Sequence, residues 1–203
     1  MTRFRKSLIW GSLAAAVLLP IALAATSPLL AWRQPIYIIA GFAGIVGMAL
    51  LLIQPLLAGG YLPGWSIHRS RRIHRWAGSV LAAAVVVHVV GLWITSPPDV
   101  IDALLFASPT PFSAWGVLAM WAIFAAGLLA ALRHRLPLTP RSWRRAHTLF
   151  VIAAVIGSVI HAVLIEGTME PVTKIALCGL VLAATVKVSV DLRIWTIRSR
   201  RNE

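Results

Sequence analysis

Four of the six histidines lie inside long apolar stretches, and their spacing is the feature of this chain best suited to chemistry. His74 and His88 share one stretch, His147 and His161 another, and the members of each pair are 14 residues apart. On an α-helix, 14 steps of ~100° return to within ~40° of the starting direction, so both histidines of a pair occupy one face. At ~1.5 Å per residue they stand ~21 Å apart along the axis. That separation prevents them from gathering in the single tetrahedral shell that zinc requires. It suits two sites, one near each edge of a ~30 Å hydrocarbon core. A neutral imidazole offers one lone pair to a metal while its other N–H is held by an acceptor. Heme brings its own equatorial nitrogens, so the protein has only to supply axial ligands.

The pairs also repeat one another. Arg71-Arg72-Ile73-His74 parallels Arg144-Arg145-Ala146-His147, and His88-Val89-Val90 parallels His161-Ala162-Val163 at the same offset. One span separates the two histidine-bearing stretches, so they run in the same direction through the membrane. His74 then shares a depth with His147, and His88 with His161, which makes two bis-imidazole levels. The competing reading is four separate histidines, each satisfied by hydrogen bonds between helices. The duplicated spacing favours ligation, because polar groups inside a bilayer are costly and usually functional.

The elements that must position these residues follow from composition. The chain is 59% hydrophobic and 12% charged, against about half and a quarter in soluble domains. Six apolar stretches approach the ~20 residues that span a bilayer: about 8–31, 36–58, 74–95, 112–132, 144–165 and 171–192. The expected fold is an all-α, six-transmembrane-helix bundle, a single heme-binding domain over 1–203. Of the 19 lysines and arginines, all but Arg33 and Lys174 fall at the start, in the second and fourth connections, at the inner end of the sixth span, or in the tail. The positive-inside rule therefore puts both termini in the cytoplasm. The opposite connections carry Asp99, Asp102, Glu166 and Glu170. The formal charge of +13 thus reports topology and not nucleic-acid binding. Arg3, Arg5 and Lys6 ahead of an apolar run ending at Ala22-Leu23-Ala24 would also pass for a cleavable signal peptide. Trp10, Trp32, Trp93, Trp115, Trp143 and Trp195 fall near span ends, as an interfacial belt would, whereas Trp121 is deeper.

Other candidates have plainer readings. His68 and His134 fall in arginine-rich connections and are expected to be solvated. Lys187 and Asp191 are i,i+4 partners suited to a helix-surface ion pair. Cys178, alone, excludes an internal disulfide or cysteine-ligated cluster and reads as a small buried apolar residue. Gly41, Gly44 and Gly47 follow no strand, so they read as helix packing and not as a dinucleotide loop. Arg75 and Arg144 flank the first histidine of each pair and are candidates to neutralise heme propionates. With about ten residues after the sixth span, no flavin or nicotinamide domain is expected.

His74-Arg75-Trp76-Ala77-Gly78 with His88, and Trp143-Arg144-Arg145-Ala146-His147 with His161, resemble the ferric reductase-like transmembrane domain over spans two to six. That superfamily includes ferric reductases, NADPH oxidases and the heme-binding subunit of periplasmic methionine sulfoxide reductase. The resemblance implies two hemes b, one being the lesser expectation, with His74 and His147 at the inner site and His88 and His161 at the outer. It implies electrons passed across a bacterial inner membrane from a cytosolic flavin (FAD or FMN, held by a partner reductase) or from quinone to a periplasmic acceptor or ferric iron. The chain is expected to depart from the large family members in carrying no flavin and nicotinamide domain. It is similar in size to the sulfoxide reductase subunit, in which the position of His74 is commonly not histidine. The resemblance thus implies a ferric reductase-like cytochrome b first, a heme subunit of a periplasmic oxidoreductase second, and a heme-free scaffold or transporter third. The acidic outer connections would suit a cationic acceptor.

Overall fold

The computed structural model describes residues 2–192, so the expectations placed on Arg193, Trp195, Arg198, Arg200 and Arg201 lie outside the described residues. Within them the chain forms α1 (Arg3–Ala25), α2 (Pro35–Ala58), α3 (Ile67–Thr95), α4 (Pro97–Leu104), α5 (Pro111–Ala131), α6 (Pro140–Leu164) and α7 (Pro171–Asp191), with no strand. All except α4 are long and apolar enough to cross a membrane. The protein is therefore an all-α, multi-pass membrane protein of six spans.

Helix starts follow local chemistry more closely than hydropathy. Proline opens α2, α4, α5, α6 and α7, where its missing N–H costs nothing. The third helix starts at Ile67, seven residues before the apolar boundary at 74, because the Ser66 hydroxyl caps the Arg69 N–H. Arg69, Arg71 and Arg72 therefore ride on a helical extension and not in a loop. Thr139 caps α6 in the same way, through the Ser142 N–H. The first span runs 3–25 and not 8–31. Thr2 caps its start, and Ser27, preceding Pro28, is extended as that position requires. The short α4 went unforeseen, because eight residues beginning Pro97-Pro98-Asp99 read as a connection; Val100 is buried and anchors it.

Two antiparallel hairpins, α2–α3 and α5–α6, supply the two most extensive helix contacts, while α3 and α6 hardly touch each other. Within the hairpins the backbones approach at glycine. A β-carbon on Gly91 would lie 2.7 Å from the Ala40 β-carbon, and one on Gly157 would lie 2.9 Å from the Trp115 carbonyl. Small residues at such crossings supply the packing that association in lipid depends on. α7 lies against α2 and α6, and α1 against α7 and α2. The shared core includes Met48, Leu52, Leu81, Ala154, Leu177 and Val181. Leu81 and Ala154 are each halfway between the two histidines of their helix, so this apolar layer separates the two histidine levels. Leu118, Leu128, Val86, Val90 and Trp121 point outward, as lipid-facing side chains do.

Candidate functional site

The hairpins position the histidines through backbone carbonyls of the neighbouring helix. His88 on α3 donates its Nδ1–H to the Ala40 carbonyl of α2 at 2.7 Å. His161 on α6 donates its Nδ1–H to the Phe112 carbonyl of α5 at 2.8 Å. A carbonyl can only accept, so both rings carry the proton on Nδ1 and keep the Nε2 lone pair. This is the second interaction by which a protein fixes the tautomer and direction of a metal-ligating histidine. Space for the rings comes from glycine. A β-carbon on Gly44 would lie 3.0 Å from His88 Nδ1, and one on Gly116 would lie 2.6 Å from His161 Nδ1. Gly44 therefore serves the imidazole, and not only the helix packing that its spacing suggests.

The two rings approach each other at a centroid distance of 6.4 Å, with planes 86° apart. Metal–imidazole bonds run at about 2.0–2.1 Å, and a ring centroid lies about 1.1 Å behind its own nitrogen, so two rings on one metal have centroids roughly 6.3 Å apart. The pair thus has the spacing of two imidazoles that would share one metal. It borders a cavity of about 570 Å³ between the hairpins, with Gly44, Gly116, Met48 and Met120 also in its wall. That volume is ordinary for a cofactor site. Among the described residues no group of three or more histidine, cysteine or acidic side chains gathers to hold a bare metal ion. Two imidazoles with free Nε2 atoms, room made by glycine and an apolar cavity therefore fit heme.

The second level, toward the arginine-rich end, is built on the same plan with looser anchoring. His74 Nδ1–H donates to the Gln54 carbonyl at 3.2 Å, and Gln54 Nε2–H returns a bond to the His74 carbonyl at 3.3 Å. His147 lies within electrostatic reach of His74. Its Nδ1 is buried without a hydrogen-bond partner, the Ala126 carbonyl approaching outside bonding geometry. Stacking orients this ring instead. His147 lies flat on Trp143 at 5.1 Å and 8°. Trp143 itself donates its indole N–H to the Leu129 carbonyl and carries the Arg133 guanidinium over its ring, 4.8 Å from the centroid. His74 and His147 do not border the large cavity.

Arg75 and Arg144 are exposed at the arginine-rich end, while the neighbouring Arg145 has a buried, unpartnered Nε. His68 and His134 are exposed, and Cys178 is buried. Lys187 and Asp191 form the expected ion pair at 2.8 Å, to which Tyr61 adds a hydroxyl hydrogen bond. Partial burial and that bond push the Tyr61 hydroxyl up to about 12. The trio ties the α2–α3 connection to α7. The four acidic residues of the opposite end do not act as one patch. Glu170 caps α7 through the Val172 and Thr173 N–H groups, Asp99 takes the Ser96 hydroxyl, and only Asp99 and Glu166 border the cavity.

Sequence reasoning missed the carbonyls of Ala40, Gln54 and Phe112, because a carbonyl has no residue identity to read. A signal existed in the numbering: the partners at 40 and 54 repeat the 14-residue spacing of the histidines they hold. Gly116 was missed because a lone glycine in an apolar span looks like packing.

The family model described as ferric reductase like transmembrane component matches residues 40–158, more than half of the chain. The chain belongs to this family. The match takes in His74, His88 and His147 and stops just short of His161. Membership makes the protein a membrane electron-transfer component with redox partners, in a family that generally binds heme. No curated protein and no solved structure matched the chain.

Proposed function

We propose that the chain is a single-domain diheme b-type cytochrome of a bacterial inner membrane. It passes electrons from a cytosolic flavin or NAD(P)H-driven donor to an acceptor outside. The observation that carries this reading is the paired geometry of His88 and His161, with Nδ1 of each held by a carbonyl and centroids 6.4 Å apart. His88 and His161 hold the outer group and His74 and His147 the inner, with Arg75 and Arg144 at the inner edge. Bound by these histidines, heme would supply reversible one-electron chemistry. The protein's part is to orient and to exclude water. Gly44 and Gly116 leave the rings their space, the carbonyls fix their tautomer, and the Leu81–Ala154 layer keeps the region between the levels dry. The cytoplasmic side is the arginine-rich one, which puts both termini inside.

The deciding experiment is heme content per chain together with a reduced-minus-oxidised spectrum of the purified protein. Two b-type hemes per chain support the reading. One heme would keep the outer pair and remove the inner. A heme-free, spectrally silent protein would leave a scaffold or transporter.

A further inference from the structure

Arg33 and Lys174 are the two cations that the positive-inside pattern leaves on the acidic side, where basic residues are otherwise disfavoured. They come from opposite ends of the chain, Arg33 just before α2 and Lys174 in the first turn of α7. Both border the cavity that holds His88 and His161. Among the described residues neither forms an ion pair, although Asp99 and Glu166 border the same cavity. Each is held by contacts that leave donors spare. The Arg33 guanidinium lies over the Tyr37 ring at 4.9 Å, a contact through its face that leaves its edge N–H groups available. Lys174 Nζ donates once, to the Ile165 carbonyl at 2.8 Å, and retains two further N–H groups.

We propose that Arg33 and Lys174 form a cation clamp for the two carboxylate arms of the group held by His88 and His161. This rests on the bis-imidazole reading above. A porphyrin carrying two carboxylates in an apolar cavity turns them toward the polar mouth, where isolated anions would otherwise remain poorly compensated. Charge-assisted bonds to a planar guanidinium and to an ammonium answer that need. The clamp also adds positive charge beside the outer site, which favours its reduced state. The outer site therefore takes its counter-charges from two residues distant in sequence, and not from arginines adjacent to its histidines.

The test uses the full chain in lipid nanodiscs, loaded with heme b or with heme dimethyl ester, whose carboxylates are blocked. Arg33→Gln and Lys174→Gln should each speed loss of outer heme b on the order of tenfold, as for removal of one charged hydrogen bond. Both should lower its midpoint potential. Arg33→Lys and Lys174→Arg should restore retention. With the dimethyl ester, wild type and Gln variants should lose the group at the same rate. Unchanged retention of heme b in both Gln variants overturns the clamp. So does a Gln variant that loses the ester form faster than wild type, by as much as it loses heme b, which would mark a structural role. Normal retention with slower reduction of ferric citrate would assign the cations to an anionic acceptor instead, and also overturns it. A wild-type chain that takes up no outer heme sinks the parent reading, a result distinct from all of these.

Discussion

A β-carbon on Gly116 would stand 2.6 Å from the Nδ1 of His161, while the equivalent atom on Gly44 would stand 3.0 Å from the Nδ1 of His88. The contact at Gly116 is closer than real β-carbons make, and the neighbour is a ring pinned by the Phe112 carbonyl. Gly116→Ala should therefore displace the imidazole and lower outer heme occupancy at least several-fold. Gly44→Ala needs a shift of only tenths of an ångström and should mainly alter the spectrum. Heme-to-protein ratio and reduced absorbance of the two variants would separate these outcomes. Equal, full occupancy in both would mean that the glycines are packing residues.

The depth matching assigns histidines to sites. His88→Ala and His161→Ala should each remove the outer heme and spare the inner, and His74→Ala and His147→Ala should do the reverse. Sharing between His74 and His161 is excluded by the ~21 Å of helix rise between levels. Heme stoichiometry and redox titration of the four variants check this. An unchanged spectrum in all four would leave hydrogen-bonded helix histidines as the whole account.

Topology is accessible to reporter fusions. Those at Asp102 and Glu170 should read as external, and those at Arg135 and Arg201 as internal. A cytoplasmic Asp102 would contradict both the orientation and the assignment of inner and outer sites.

Electron supply should depend on a partner. The proposed donor is a separate flavin protein, so the purified chain should not oxidise NADH or NADPH at a useful rate. Adding a flavin reductase should start heme reduction, followed spectroscopically. Rapid NADPH oxidation by the chain alone would reveal an unsuspected nucleotide site.

The Glu170 cap gives a pH dependence. Hydrogen bonds from the Thr173 and Val172 N–H groups hold its carboxyl below the ordinary value of 4.5. A carboxyl lowered on folding contributes stability that is fully present above its unfolded value and is lost as pH falls through its folded value. Glu170→Gln should therefore lower the melting temperature at pH 7 more than in strong acid. A difference independent of pH would show that the charge contributes nothing to the cap.

Hydropathy and charge made the six spans and the histidine levels legible, because membrane burial and topology act on residue type. What it could not reach depended on backbone atoms and on distant contacts. Ser66 and Thr139 extend helices past their apolar limits through single side-chain bonds. Trp143 reads as a belt residue, and only packing reveals it beneath His147. Arg33 and Lys174 look like exceptions in a charge count until the fold brings them to one cavity.

The hairpins differ in one respect that bears on how such a bundle tolerates change. His88 lies 48 residues from the carbonyl that holds it, His161 lies 49 from its own, and the two contacts are nearly equal in length. The second hairpin absorbs its extra residue between Ala126 and His147, in the region of the turn, and the phase of the helices is preserved. Insertions at the turns should therefore be nearly silent. A single residue inserted between His74 and His88, or between His147 and His161, would rotate one histidine by ~100° away from its partner. Length variation among related chains should accordingly collect in the connections and avoid the 14-residue intervals.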